Sequence, residues 1–189
     1  MTEDAGSLAF EEYRALRATI RERGSLRFLV AALTFSAWAG ALIAVAAYVV
    51  IPFFALAPLL VLAAGFEVIF ALHIGVERIG RYVQLRYETA GAPSGPLWEH
   101  TAMSATLPSG GAHSLFLPVF LMASAVNWLL GVTLMIGNAA PEEFGGFGAE
   151  VLLFGFFHIA AIARWLTAAR FASRQRANDL EALSKQLVS

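Results

Sequence analysis

Five side chains with chemical capacity stand in apolar surroundings in this sequence: Glu67, His73, Glu77, Asn127 and His158. Ionisable groups are costly to place in lipid, and those that persist there usually face the protein interior, pair with one another and mark ion or proton routes. Glu67 and Asn127 are therefore candidates for an ion or proton path. His73 and Glu77 are four residues apart, which puts them on one face of a helix. With His158 they offer nitrogen and oxygen ligands to a transition metal ion such as zinc, manganese or iron. His100 and His113, in a more polar stretch, could complete that set. Three or four ligands with one position left open would suit a catalytic metal.

The same residues also have structural uses. Glu67 could be protonated and hydrogen-bonded to Asn127, Ser36 or Thr34, tying helices together. His73 and His158 could each donate to a backbone carbonyl or to Glu77. The His73–Glu77 spacing matches neither the His-Glu-x-x-His nor the Glu-x-x-His pattern. Nor does any stretch match a nucleotide-binding loop, a kinase signature or a nucleophile elbow. With no cysteine, disulfides, thiolate metal sites and cysteine nucleophiles are excluded.

The elements that position these residues follow from the composition. Hydrophobic residues make up 58% of the 189-residue chain and charged residues only 14%, against roughly 25% charged in an ordinary soluble domain. Mean hydropathy is +0.66. Such a chain cannot cover its apolar surface with polar side chains, so the lipid bilayer is its expected partner. From Phe28 to Phe66 no residue is charged, a run of 39. One helix of that length would measure about 58 Å, far more than a bilayer core, so the run must hold two spans. Pro52 and Pro58 mark the break. The expected fold is all-α: a polytopic transmembrane bundle of four helices over 28–50, 55–78, 115–136 and 147–169. A loop over 89–114 separates the second span from the third. A cytoplasmic amphipathic helix over 1–27, ended by Gly24, and another cytoplasmic helix over 170–189 flank the bundle.

Charge sets the expected orientation. All 13 basic residues lie before the first span, after the second or towards the end of the fourth, and none lies in the turns near Pro52 and Pro141. The positive-inside rule then places both termini and the central loop in the cytoplasm, with the protein multi-pass in a plasma (inner) membrane. Counting 1.5 Å per residue from Arg78, Leu115 and Arg164 puts Glu67 and Asn127 near mid-depth and His73 and His158 in the cytoplasmic quarter.

Ala37, Gly40, Ala41 and Ala44 make a narrow face on the first span, suited to close packing within the chain or between chains. Arg14, Arg17 and Arg21 are interleaved with Glu11, Glu12 and Glu22, which suits an anionic membrane surface and argues against nucleic acid as a partner. Three functions fit this pattern. The first is a small homo-oligomeric channel or carrier for an ion or small solute. The second is a noncatalytic assembly or scaffold subunit whose cytoplasmic helices bind a protein partner. The third is a metal-dependent membrane enzyme acting on a lipid or quinone.

Overall fold

The first long apolar run turns back on itself where its prolines stand. In the computed structural model, which describes residues 2–48, 52–88, 99, 115–138 and 144–188, Pro52–Ala55 forms a single 3-10 turn. It joins helix α1 (Thr2–Tyr48) to α2 (Leu56–Arg86). Pro58 falls in the first turn of α2, where a missing N–H costs nothing because that group has no intrahelical acceptor. Among the described residues, helices α3 (Leu117–Asn138) and α4 (Phe144–Val188) follow. The chain is all-α, and all four helices are long and apolar enough to cross a membrane.

Cross-helix partners fix the topology. Thr34 lies against Gly65, Arg27 meets His73 and Tyr82 meets Glu12, so α1 and α2 run antiparallel. Glu67 pairs with Arg164 and Arg81 with Asp179, separations of 97 and 98 residues, so α2 and α4 run parallel and in register. Asn127 meets His158, and Phe120 packs on Trp165, so α3 and α4 run antiparallel. Both chain ends therefore leave the bundle from the same end, as four alternating spans require.

The flanking segments are not separate helices. Helix α1 runs unbroken through Gly24, and α4 runs unbroken through 170 to Val188. Glycine in a helix interior costs only about 1 kcal/mol, and it ends a helix when it takes a left-handed conformation, which Gly24 does not. With 47 and 45 residues, these helices are each about 70 Å long, so more than half of each extends beyond a hydrocarbon core of about 30 Å. The short helix conceivable over 97–107 lies outside the described residues except for Glu99, which is helical.

The core is aromatic. Phe66 of α2, Phe120 of α3 and Trp165 of α4 form a triangle with ring centroids 5.2–5.7 Å apart. Each ring is almost fully buried. Lipid is as apolar as these rings, so the triangle holds the helices by close packing rather than by escape from water. Small residues permit the approach at two points. A Cβ on Gly65 would overlap Thr34, and a Cβ on Gly131 would overlap the Phe154 ring. The small face expected on α1 does not serve this purpose within the chain. Gly40 has nothing around it, and Ala37 and Ala44 are exposed. Helix α1 packs instead through Ala31, Thr34, Trp38 and Val45.

Candidate functional site

The polar residues at membrane depth form three pairs at three levels, and none of the pairings is the one that residue counting suggests. Asn127 and His158 form the first. Both are buried, Asn127 completely. His158 Nδ1 lies 2.9 Å from the Phe154 carbonyl, which can only accept, so Nδ1 carries the proton. Nε2 is therefore an acceptor and takes a hydrogen bond from Asn127 Nδ2 at 3.0 Å. Asn127 Nδ2 also donates to the Ala55 carbonyl at 3.0 Å. Both amide hydrogens are used, and Oδ1 is left buried without a partner among the described residues. The arrangement locks the turn between α1 and α2 to the α3/α4 pair.

The second pair is ionic. Arg164 Nη2 donates to Glu67 Oε2 at 2.7 Å, with the guanidinium 5.2 Å from the Phe70 ring centroid. The Arg164 and Glu67 side chains are 45% and 46% exposed, so the pair sits on the outside of the bundle. Its level follows from its neighbours. Thr34 faces Gly65, and Thr34 is six residues past Phe28, where the charge-free run begins. Glu67 stands two residues nearer the Phe28 end than Gly65, so the pair lies about 6 Å inside the apolar zone.

The third pair, Arg27 with His73, lies at the edge of that zone. Arg27 Nη1 is 3.1 Å from His73 Nδ1. A guanidinium only donates, so Nδ1 accepts and the proton is on Nε2.

These contacts revise the sequence-based depths. Glu67 and Asn127 do not share a level, and Asn127 reaches the turn at the far end of α2. His158 is on that same far level, not in the quarter with His73. Counting from Arg164 treated it as the membrane boundary, but an arginine neutralised by Glu67 is not forced to the surface. The metal set His73, Glu77 and His158 is not gathered. His73 faces Arg27, Glu77 faces Arg81 and His158 faces Asn127. Among the described residues no three histidine, aspartate or glutamate side chains converge as metal ligands. His100 and His113 lie outside the described residues.

A fourth cluster, of whose members only Glu77 was a sequence-based candidate, caps the bundle where the chain ends emerge. Arg81 is 2% exposed and spans two carboxylates: Nη2 donates to Glu77 at 3.1 Å and Nη1 to Asp179 at 3.0 Å. Arg17 donates to Glu99, whose carboxylate lies beside Gly80. Burial pushes the Glu99 carboxyl up, and Arg17 pulls it part of the way back. Tyr82 donates to Glu12 at 3.1 Å, and Tyr13 packs edge-on against Tyr87. Burial, reinforced by the Glu12 carboxylate, pushes the Tyr87 phenol up to about 12. Glu77 and Arg81 stand four residues apart, Glu first, the favourable order for a helical ion pair. Asp179, 98 residues away, carried no sequence signal of its role.

Comparison of the chain with protein-family models, curated proteins and solved structures gives no match. The polar sites must therefore be interpreted from their own geometry.

Proposed function

We propose that this multi-pass membrane protein works as a homo-oligomer, its subunits meeting through the α2/α4 face, and that the assembly carries a small ion or solute along the contact. One observation supports this reading above others: a half-exposed Glu67–Arg164 ion pair about 6 Å inside the apolar zone. Ionisable groups at such depth almost always face protein or water, not lipid. Among the described residues, nothing covers the exposed part of this pair.

A second copy suits the exposed face. The pair holds one charge of each sign, and every copy in the same orientation presents both at one depth. Glu67 of one subunit can then exchange its own Arg164 for the Arg164 of the next, a head-to-tail contact that closes into a ring. Around the pair, Ala64, Ala71, Ala160, Ala163 and Thr167 are exposed and small, which allows helices to approach closely. A carboxylate that alternates between an arginine and a cation supplies the charge change that a transport step needs. Both chain ends are assigned to the cytoplasm by the distribution of arginine and lysine.

A second reading, a noncatalytic assembly subunit, is favoured by the cap. Arg81, Glu77 and Asp179 hold the extensions of α2 and α4 together, and such a rigid surface suits a protein partner.

The test is reconstitution of the full chain. Mass measurement of the detergent-solubilised protein is expected to give a multimer that Glu67→Leu and Arg164→Leu both shift towards monomer. In liposomes, flux of protons, potassium or chloride under an imposed gradient is expected to fall at least tenfold in Glu67→Gln. A multimer that conducts none of these favours the assembly subunit. A monomer in both detergent and lipid nanodiscs would refute the oligomeric reading.

A further inference from the structure

At the seam of α1 and α2, just outside the apolar zone, an arginine is laid across a glycine without an anion to bind. Arg23 is exposed, yet its guanidinium turns onto α2: a Cβ on Gly75 would lie 2.6 Å from Arg23 Nη1 and 3.8 Å from Cζ. Nε and Nη2 are more than 4 Å from that point, so one edge of the group rests on the helix and another faces away from it. The missing side chain of Gly75 is what lets the guanidinium lie there. Its level follows from the neighbouring contact. Arg27 meets His73 beside Phe28, where the charge-free run begins, and Gly75 is two residues further out along α2. The Arg23 guanidinium therefore stands about 3 Å outside the apolar zone, at the depth of lipid headgroups.

A second cation stands beside it. Arg78 is three residues past Gly75, a neighbouring position on the surface of α2, and it too is exposed. Neither arginine makes an ion pair among the described residues. Neither has an acidic residue three or four positions away in either direction, so no helical partner exists for them. The carboxylates nearby are engaged or turned aside. Glu77 binds Arg81, and Glu12 accepts from Tyr82. Glu22 and Ser25 stand about 100° and 160° round α1 from Arg23. Arg27 adds positive charge, but its Nη1 is on His73 and its Nε is buried. Towards the membrane the same side of α1 is apolar: Leu26 and Leu33, three and ten residues beyond Arg23, are 42% and 61% exposed.

We infer that Arg23 and Arg78 hold the phosphate of a net-anionic membrane lipid at the α1/α2 seam, with an acyl chain lying along Leu26 and Leu33. A guanidinium presents paired N–H donors that match two phosphate oxygens, and both groups are open to the headgroup layer. Basic pockets between membrane helices at the cytoplasmic face bind anionic headgroups for this reason. The apolar stripe running inward from Arg23 suits an amphiphile and has no use for free phosphate. A zwitterionic lipid would bring its own cation against two unpaired arginines, so net negative charge is the selected property. This site does not rest on the oligomeric reading, since Glu67 and Arg164 take no part in it.

The test is native mass spectrometry of the full-length protein released from nanodiscs that hold phosphatidylglycerol and phosphatidylcholine in equal amounts with identical acyl chains. Phosphatidylglycerol is expected to be retained over phosphatidylcholine. Arg23→Gln and Arg78→Gln are each expected to lower that preference about fivefold, the ratio for one arginine at an anionic membrane surface. Gly75→Ala, which displaces the Arg23 guanidinium from α2, is expected to lower it as Arg23→Gln does. Arg170→Gln is the control. Arg170 is also exposed and without an ion pair among the described residues, and it lies six residues beyond Arg164, at about the same depth on α4. This variant is expected to leave the preference unchanged. Inorganic phosphate, raised at constant ionic strength, is expected not to displace the lipid. Equal retention of the two lipids, or an equal loss in Arg170→Gln, would reduce the effect to general surface charge and overturn the inference. Displacement by inorganic phosphate would overturn it as a lipid site.

Discussion

Replacing Asn127 by aspartate changes almost no volume but reverses the hydrogen bonding at the outer level of the bundle. Asn127 Nδ2 donates twice, to the Ala55 carbonyl and to His158 Nε2, each at 3.0 Å. An ionised aspartate donates to neither and sets a carboxylate against two acceptors. Protonated, it has one hydrogen to give, so one acceptor is still orphaned. Hydrogen bonds between membrane helices contribute about 0.6–1.7 kcal/mol each, so Asn127→Leu, which loses both, is expected to cost about 1–3 kcal/mol. Asn127→Asp adds an unpaired buried charge, for which about 3–5 kcal/mol is typical. Asn127→Asp should therefore be the more damaging substitution, and increasingly so as pH rises and the carboxyl ionises. His158→Leu combined with Asn127→Leu should show a coupling energy of about 1 kcal/mol, since the two share one bond. The assay is reversible unfolding in mixed micelles, followed by helicity and tryptophan fluorescence. Aspartate tolerated at position 127 as well as leucine, or zero coupling between 127 and 158, would refute the assigned tautomer and the pairing.

Three further outcomes follow from the packing and the cap. Gly65→Ala should destabilise by about 1–3 kcal/mol through overpacking against Thr34, with partial rescue by Thr34→Ala, whereas Gly40→Ala, in open space, should stabilise by up to about 1 kcal/mol; the same unfolding assay reads all three. Asp179→Asn removes the charge from one of the two Arg81 ion pairs and should loosen the end of α4, seen as faster amide exchange beyond 170 with the membrane-embedded part of α4 unchanged. The Glu99 carboxyl is held above its usual 4.5 in the folded chain, so the unfolded chain binds fewer protons than the folded one across that window. Stability of the cap should then fall as pH rises from about 4.5, and Glu99→Gln should flatten that dependence in a pH series of amide-exchange measurements.

Most of the architecture was legible in the sequence because it depends on length and charge alone. A run of 39 residues without charge is too long for one crossing and fits two. Pro52 marked the turn, and the arginines required both ends to emerge on one side. The candidate polar residues were legible for the same reason: Glu67, Asn127, His73 and His158 stand out against an apolar background. The lengths of α1 and α4 were not, because a glycine such as Gly24 is a stop signal only where the backbone turns left-handed, and neighbouring helices support it otherwise.

Which residues meet was decided by tertiary structure. Depth along a helix can be counted at 1.5 Å per residue only from a true boundary, and Arg164 is not one once Glu67 neutralises it. Rotation and tilt then choose the partner: Asn127 reaches Ala55 and His158 rather than Glu67, Arg27 takes His73, and Arg81 finds Asp179 98 residues away. The hydrophobic periodicity that identifies a membrane helix says little about these choices, because lipid and protein interior are almost equally apolar and leave only a weak imprint of which face turns inward. Close packing at Gly65, Gly131 and the Phe66–Phe120–Trp165 triangle sets those rotations, and with them which polar groups find partners and which, like the hydroxyl of Ser124, find none among the described residues.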